Sequence, residues 1–342
     1  MTRRKGLYTL EFENEPCIES YAAFVGKKEK AGPLGDYFQN FDEDTTLGQP
    51  SWEKSELELQ KRAFSLALER ARLEPCNIDV LLCGDLLNQC IASGYAFRET
   101  GVPLIGLFGA CSTMAESLAI AATLTDGGGM RRAAAVTSSH FCSAERQFRF
   151  PLEYGGFRAP SSQWTVTGAG SAVVSRSVER RVRIRRVTFG AVRDLGVCDI
   201  NNMGCAMAPA ACDTLLRFFS DTGTIATDYN AVITGDLGAV GSDVLRDLCE
   251  REGCVLPNHL DCGKLIYDRE RQGVGSGGSG CGCSASVLCA YFLPALERGE
   301  MQRLLFMATG ALMSPTSCQQ GESIPSVAHL VELHSPIELI KS

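Results

Sequence analysis

Short apolar runs alternate with longer amphipathic segments along most of the chain. Residues 78–84 (IDVLLCG) have the length and composition of a buried strand. In the preceding segment, leucines and alanines recur at helical spacing up to Arg72, and Ser51 stands at the N-cap position. Strands that alternate with helices are typical of α/β proteins with a parallel sheet. The first 50 residues, rich in glycine, acidic and aromatic side chains, predict only an irregular strand and a lid-like loop.

One cysteine lies at the junction of a strand-like run and a helix. Residues 102–108 (VPLIGLF) are apolar, and Ala, Leu and Ile recur at helical spacing from Ser112 onward. Cys111 lies between these two segments. The dipole and the free N–H groups of a helix N-terminus favour a thiolate. Cys111 is therefore a candidate nucleophile.

The pattern of the first half recurs in the second half. Two apolar runs end in Gly-Asp-Leu, one at Asp85 and the other at Asp236, 151 residues later. A Cys-Ser pair opens a helix at Cys111 and again at Cys283, 172 residues later, which places a 21-residue insertion in the second copy. The shared order of the two matches indicates a duplication.

We predict that the duplication divides the chain into units of residues 1–180 and 181–342. The boundary falls in an arginine-rich stretch, residues 180–186, in which apolar residues alternate with charged ones. We interpret these arginines as the solvated face of an edge strand.

Composition limits the classes of function. The formal net charge of −7 argues against a nucleic-acid-binding protein, which usually carries a basic excess. The 16 cysteines are spread along the chain without a preceding signal peptide, so we interpret them as buried thiols in a reducing compartment. We predict no metal site, because Cys281-Gly282-Cys283 lacks a second CxxC or a His pair at zinc spacing. No run approaches the roughly 20 apolar residues of a membrane span.

Four stretches carry a family resemblance: "GACSTMAESL" from Gly109, "SSHF…AERQFR" from Ser138, "QWTVTGAG" from Gln163 and "GSGCGCSASV" from Gly278. The whole chain resembles the stage V sporulation protein AD family, which has a thiolase-like α/β fold. This resemblance implies two duplicated βαβα-type halves stacked in five αβαβα layers. It also implies a homodimer.

The functional implications of the resemblance are specific. It implies binding of dipicolinic acid, or of its calcium chelate, for uptake into the developing spore, with no cofactor. The partners would be the other SpoVA membrane proteins. The chain would lie peripherally on the cytoplasmic side of the forespore or spore inner membrane, with no transmembrane segment.

The resemblance also bears on catalysis. Related condensing enzymes pair their cysteine with a His and an Asn from the second half. Here the matching strand end, Thr234 to Gly238, has no His, and the matching helix start, Gly278 to Ser284, has no Asn. Since a nucleophilic cysteine needs a base, we predict that Cys111 is inactive. The alternative is a ketoacyl-synthase-like condensing enzyme or acyltransferase that uses Cys111, with His140 as the nearest imidazole.

A dipicolinate site should offer N–H, Arg or His donors and flat apolar walls, because the ligand is a planar dianion. An arginine-rich aromatic segment follows His140, although it could instead be surface, and His140 could be structural. The two strand-end aspartates could contact calcium or cap the helices that follow them. The candidate ligand-binding residues are Cys111, His140, Asp85, Arg146, Arg149, Trp164, Gly278, Gly280 and Gly310.

Overall fold

The computed structural model describes residues 2–148, 158–176 and 178–337. Its strands are β1 (Thr2–Lys5), β2 (Thr9–Phe12), β3 (Cys17–Gly26), β4 (Phe41–Asp42), β5 (Val80–Gly84), β6 (Leu104–Gly106), β7 (Arg132–Ser139), β8 (Gln163–Thr165), β9 (Gly168–Ser175), β10 (Val182–Thr188), β11 (Ala231–Thr234), β12 (His259–Asp261), β13 (Gly277–Ser279), β14 (Arg303–Ala311) and β15 (Ser326–His334). Its helices are α1 (Lys27–Lys30), α2 (Trp52–Ala71), α3 (Ile91–Phe97), α4 (Thr113–Asp126), α5 (Phe141–Phe148), α6 (Met203–Thr222), α7 (Gly238–Arg251), α8 (Cys262–Ile266), α9 (Cys281–Val287), α10 (Leu293–Glu297) and α11 (Pro315–Gln319).

Ten strands form one path with two arms of equal pattern. The first arm runs β3-β9-β7-β5-β6, and the second runs β10-β15-β14-β11-β12. In each arm the first two pairings are antiparallel and the next two are parallel. Strands β3 and β10 pair where the arms join. The predicted α/β fold with a duplicated architecture is confirmed, while the division at residue 180 stays a prediction.

The helices complete a five-layered stack. Helix α2 packs on the outer face of the first arm, and α6 packs on β15 and β14 of the second arm. Helix α4 lies between the arms, where it contacts β7 on one side and β15 on the other, and α9 packs beside it on β9 and β7. The largest cluster of buried apolar side chains fills this central layer and includes Met114, Leu118, Leu288 and Phe306. No helix within the described ranges is long and apolar enough to cross a membrane.

The N-terminal segment is more ordered than its composition predicts. All ten residues of β3 are buried, because the strand lies in the middle of the sheet with helices over it. The prediction of an irregular strand is wrong here. A strand covered on both faces loses the apolar–polar alternation that would have marked it in the sequence.

The interpretation of the arginine-rich stretch is also wrong. Strand β10 is not an edge strand, since it pairs with β2, β3 and β15. Its arginines meet carboxylates that lie far away in the sequence: Arg186 contacts Glu11 at 2.8 Å and Glu332 at 3.2 Å. These ion pairs satisfy the charges where the two arms of the sheet meet.

Candidate functional site

A cavity of about 400 Å³ opens beside Cys111. Its polar groups are Cys111, Glu145 and the hydroxyl groups of Thr165, Ser279, Ser314 and Ser317. No Arg, Lys or His is among the described residues that line it. Most of the wall is apolar and includes Leu86, Phe108, Phe148, Ile200, Met203 and Leu312. The cavity can therefore hold a flat apolar body whose polar edge meets hydroxyl groups.

Cys111 lies in a tight turn at the entrance to the central helix. A single 3₁₀ turn, Ala110–Ser112, leads into α4, and Ala110 has a φ of +51°. Residues with a Cβ rarely adopt this left-handed conformation, so the turn is strained. Strand β14 approaches it closely, since a Cβ on Gly310 would lie 2.3 Å from the carbonyl oxygen of Gly109. Gly310 thus lets the second arm pack directly on the turn that carries Cys111.

The Cys111 thiol lies close enough to the Asp236 carboxylate for the two groups to interact, and this interaction raises the pKa of Cys111. Asp236 follows β11, and it is fully buried. Its Oδ2 accepts from the backbone N–H of Gly280 at 2.9 Å, and its Oδ1 accepts from the Thr309 hydroxyl at 3.0 Å. Burial raises the pKa of Asp236 to about 7. The Gly280 N–H, expected to face a ligand, is used within the protein.

This environment opposes a thiolate on Cys111. Burial, followed by the negative charge of Asp236, raises the pKa of Cys111 well above its usual value. A catalytic cysteine needs the opposite, a nearby positive charge or a base that becomes positive when it takes the proton. The Cys111–Asp236 contact therefore holds the sulfur as a thiol. Only the first of the two predicted Cys positions reaches the cavity, because Cys283 is fully buried against the Gly235 carbonyl.

His140 lies outside the cavity lining. Its Nε2 donates to the Thr45 carbonyl at 2.8 Å, and its Nδ1 accepts from the backbone N–H of Cys142 at 3.2 Å. The side chain is buried, and burial lowers the pKa of this imidazole. Both ring nitrogens are thus engaged with backbone, as in a structural histidine.

Asp85 caps a helix and does not line the cavity. Its Oδ1 accepts from the Leu87 N–H at 2.9 Å, and its Oδ2 accepts from the backbone N–H of Ser93 at 2.9 Å and from the Ser93 hydroxyl at 2.6 Å. Ser93 lies in the first turn of α3 and Leu87 in the loop before it, so this carboxylate stabilises the start of a helix, as the capping alternative predicts.

The remaining candidates are placed apart from the cavity. Arg146 forms an ion pair with Glu53 and lies over the Trp52 ring. The Trp164 ring stacks on Phe141 with centroids 4.1 Å apart. Gly278 is closely packed, since a Cβ added to it would lie 3.3 Å from the Cys283 sulfur. Its carbonyl oxygen accepts a hydrogen bond from the Gln163 side-chain amide. Arg149 lies outside the described residues.

Sequence reasoning missed Glu145, the one acidic side chain among the described residues that line the cavity. It is buried, accepts a hydrogen bond from Thr165 at 3.3 Å and forms an ion pair with Arg158 at 2.7 Å. Its position within "AERQFR", beside two arginines that suit an anionic ligand, is the one signal in the sequence. The hydroxyl groups of Ser314 and Ser317, which reach the cavity from α11, had no motif to mark them.

Comparison with known proteins identifies the family. The family model described as stage V sporulation protein AD matches residues 6–334. The stage V sporulation protein AD of Bacillus subtilis (strain 168) is 44% identical over 325 residues, which cover 95% of this chain and 96% of that protein. The chain belongs to the stage V sporulation protein AD family.

Solved structures support the fold of this sporulation family. The 3-oxoacyl-[acyl-carrier-protein] synthase III from Aquifex aeolicus VF5 aligns with a TM-score of 0.56 and 14% identity, over 93% of this chain and 99% of that one. The cerulenin-bound OleA of Xanthomonas campestris aligns with a TM-score of 0.59 and 15% identity, over 95% and 97%. These likenesses confirm the thiolase-like fold and nothing further.

Proposed function

We propose that this chain binds dipicolinic acid, as its calcium chelate or as the free acid, in the cavity beside Cys111 without chemical turnover. The observation that carries the proposal is the interaction of Cys111 with Asp236, which disfavours a thiolate. Apolar walls beside a row of hydroxyl groups suit a planar aromatic ring with polar substituents. Membership of a sporulation family supports this ligand class.

The charges of the described lining favour the neutral chelate over the free dianion. Among the described lining residues Glu145 is the charged side chain, it is paired with Arg158 from outside the lining, and no basic side chain of the lining offsets a dianion. Taking an unpaired anion out of water into such a site is costly. We therefore infer that calcium enters with the ligand and that the serine and threonine hydroxyl groups contact the ligand oxygens.

Calorimetry tests the proposal directly. We expect saturable binding of dipicolinate in the presence of calcium, and weaker binding when calcium is removed by a chelating resin. Ala144→Phe, which places a ring inside the cavity, should abolish the calcium-dependent part of the binding heat. Arg146→Ala is the matched control on the same helix, since Arg146 points to Glu53, and it should leave binding unchanged. A flat titration at millimolar ligand would overturn the proposal.

The role in uptake requires membrane partners, and we propose that the other SpoVA membrane proteins receive the ligand from this chain at the inner membrane of the forespore or spore. Failure of the purified chain to associate with vesicles that contain those proteins would count against this role. Equal association with vesicles that lack them would also count against it.

We propose a homodimer through β6. Among the described strands this one pairs with β5 alone, and its side chains are exposed: Leu104 is 38% and Ile105 is 45% accessible, while Phe108, just beyond it, is 52% accessible. An open strand edge with apolar side chains is a template for pairing with a second chain. Light scattering should give a dimer for the parent chain and a monomer for Ile105→Lys.

The alternative, a condensing enzyme or acyltransferase, is supported by the fold shared with the synthase and OleA. It predicts an acyl adduct on Cys111 after mixing with acyl-CoA, visible by intact mass and absent in Cys111→Ala. The proposal predicts no adduct.

A further inference from the structure

A second pocket, of about 290 Å³, lies apart from the Cys111 cavity and shares no lining residue with it. It is bounded by β3, by the last turn of α2, by residues 37–40 and by the helical segment between α9 and α10. None of the residues that line it is acidic, and one, Arg70, is a permanent cation. The charged side chain that lines this pocket is thus basic, whereas the charged side chain in the described lining of the Cys111 cavity is acidic.

The guanidinium of Arg70 is only partly used. Its Nη1 donates to the carbonyl oxygen of Tyr21 at 2.7 Å, which fixes the side chain against β3. Among the described residues Arg70 has no ion pair. The nearby carboxylate of Glu297 is engaged by Arg181 at 3.1 Å and by the Tyr21 hydroxyl at 2.7 Å. Four N–H donors of Arg70 therefore remain for a planar anion, which arginine binds in a two-pronged manner.

The walls of the pocket favour a flat molecule. Tyr21 and Tyr37 supply aromatic surface, and the amides of Gln39 and Asn40 supply further polar groups. Tyr37 is held in place by edge-to-face packing on Tyr291, with ring centroids 4.8 Å apart. A ligand with a carboxylate on a small ring would use all three kinds of group.

The helix beside the pocket departs from the duplicated pattern. In the first half, α4 continues unbroken to Asp126, whereas α9 is followed by a π-helical segment, Leu288–Phe292. Cys289 and Ala290 of this segment line the pocket. A π-helical turn interrupts the regular pattern of backbone hydrogen bonds in an α-helix. Such turns occur often at functional sites.

We propose that this pocket is a binding site for a small planar carboxylate, held by Arg70 between Tyr21 and Tyr37. The inference does not depend on what occupies the Cys111 cavity. The site would give the chain a second, independent small-molecule contact at the opposite end of α2 from its Ser51 cap.

Benzoate is a suitable probe, and its binding is measured by saturation-transfer NMR. The chain carries Ala144→Phe, so that the Cys111 cavity is filled. We expect saturable binding that Arg70→Gln weakens at least about tenfold, since a hydrogen-bonded charge pair is lost. Arg72→Gln removes the same charge two residues away, outside the pocket, and should leave the affinity unchanged. Circular dichroism of each variant verifies the fold.

Equal affinity in Arg70→Gln and Arg72→Gln would overturn the proposal, as would the absence of benzoate binding up to high millimolar concentration. Displacement of benzoate by equimolar inorganic phosphate would overturn the assignment to planar carboxylates. These outcomes are independent of the dipicolinate titration, because they are read in a chain whose Cys111 cavity is blocked.

Discussion

Two Gly-Asp-Leu strand ends occupy equivalent positions in the two arms, but their carboxylates contact different groups. Asp85, after β5, accepts from the N–H of Leu87 in the loop and caps α3 through the N–H of Ser93. Asp236, after β11, turns instead to the Gly280 N–H and the Cys111 thiol. One copy of the motif therefore supports a helix start, and the other lies against the Cys111 thiol.

A single position on the neighbouring strand accounts for this divergence. Gly106 of β6 pairs with Cys83, and at the same register of the second arm Asp261 of β12 pairs with Thr234. Asp261 accepts from the N–H groups of Leu237 and Gly238 at 2.8 and 3.0 Å and so caps α7. Because Asp261 takes the capping role, Asp236 is free to face Cys111.

The largest expected effect concerns the pH dependence of stability at Asp236. Its pKa is about 7 in the folded protein and near 4 when unfolded, so the folded form holds the extra proton between these values. Its contribution to stability is full below pH 4 and is lost as the pH rises through 7. Denaturant titrations should show the free energy of unfolding of Asp236→Asn rising relative to that of the parent by about 4 kcal/mol between pH 4 and pH 8. A difference in the free energy of unfolding between the two proteins that does not change with pH would contradict the role assigned to Asp236.

Asp85→Asn should be destabilising at neutral pH by about 2 kcal/mol in chemical denaturation. Both oxygens of Asp85 accept from backbone N–H groups, so an amide nitrogen would leave one buried donor without an acceptor. At Asp236 the Thr309 hydroxyl can turn and accept from an amide. Equal losses for Asp85→Asn and Asp236→Asn at pH 5 would mean that the two strand ends are equivalent after all.

Gly310→Ala tests how closely the second arm presses on the Cys111 turn. The new methyl group would meet the Gly109 carbonyl, so we expect a loss of about 1–2 kcal/mol and weaker dipicolinate binding. Gly94→Ala is the control, because a Cβ there meets nothing within 4 Å and Gly94 lies inside α3. That variant should be neutral or slightly more stable. An unchanged melting temperature for Gly310→Ala would contradict the contact.

The smallest effect is chemical. Removing the Asp236 charge should lower the pKa of Cys111, so iodoacetamide should label this residue about tenfold faster in Asp236→Asn at pH 8. Asp85→Asn should leave the rate unchanged. Site-resolved mass spectrometry separates Cys111 from the other cysteines, and equal rates in both variants would remove the proposed role of Asp236.

Local patterns and the family resemblance were enough for the fold. The helix after Ser51, the strand at Val80 and the start of α4 after Cys111 follow from short-range spacing and capping. Side-chain partners at the site were not predictable in this way. Arg146 meets Glu53, 93 residues away, and Asp236 rather than Asp85 meets Cys111 because a third residue, Asp261, caps the helix. Such pairings depend on how distant elements pack.

Protection of Cys111 by the ligand tests the central claim most directly. The labelling rate of Cys111 by iodoacetamide is measured in the parent chain with increasing dipicolinate and calcium, with exposed Cys76 as the internal standard. The account predicts a saturable fall in Cys111 labelling, with its midpoint at the calorimetric dissociation constant and no change at Cys76. A Cys111 rate that stays constant at saturating ligand would contradict the account.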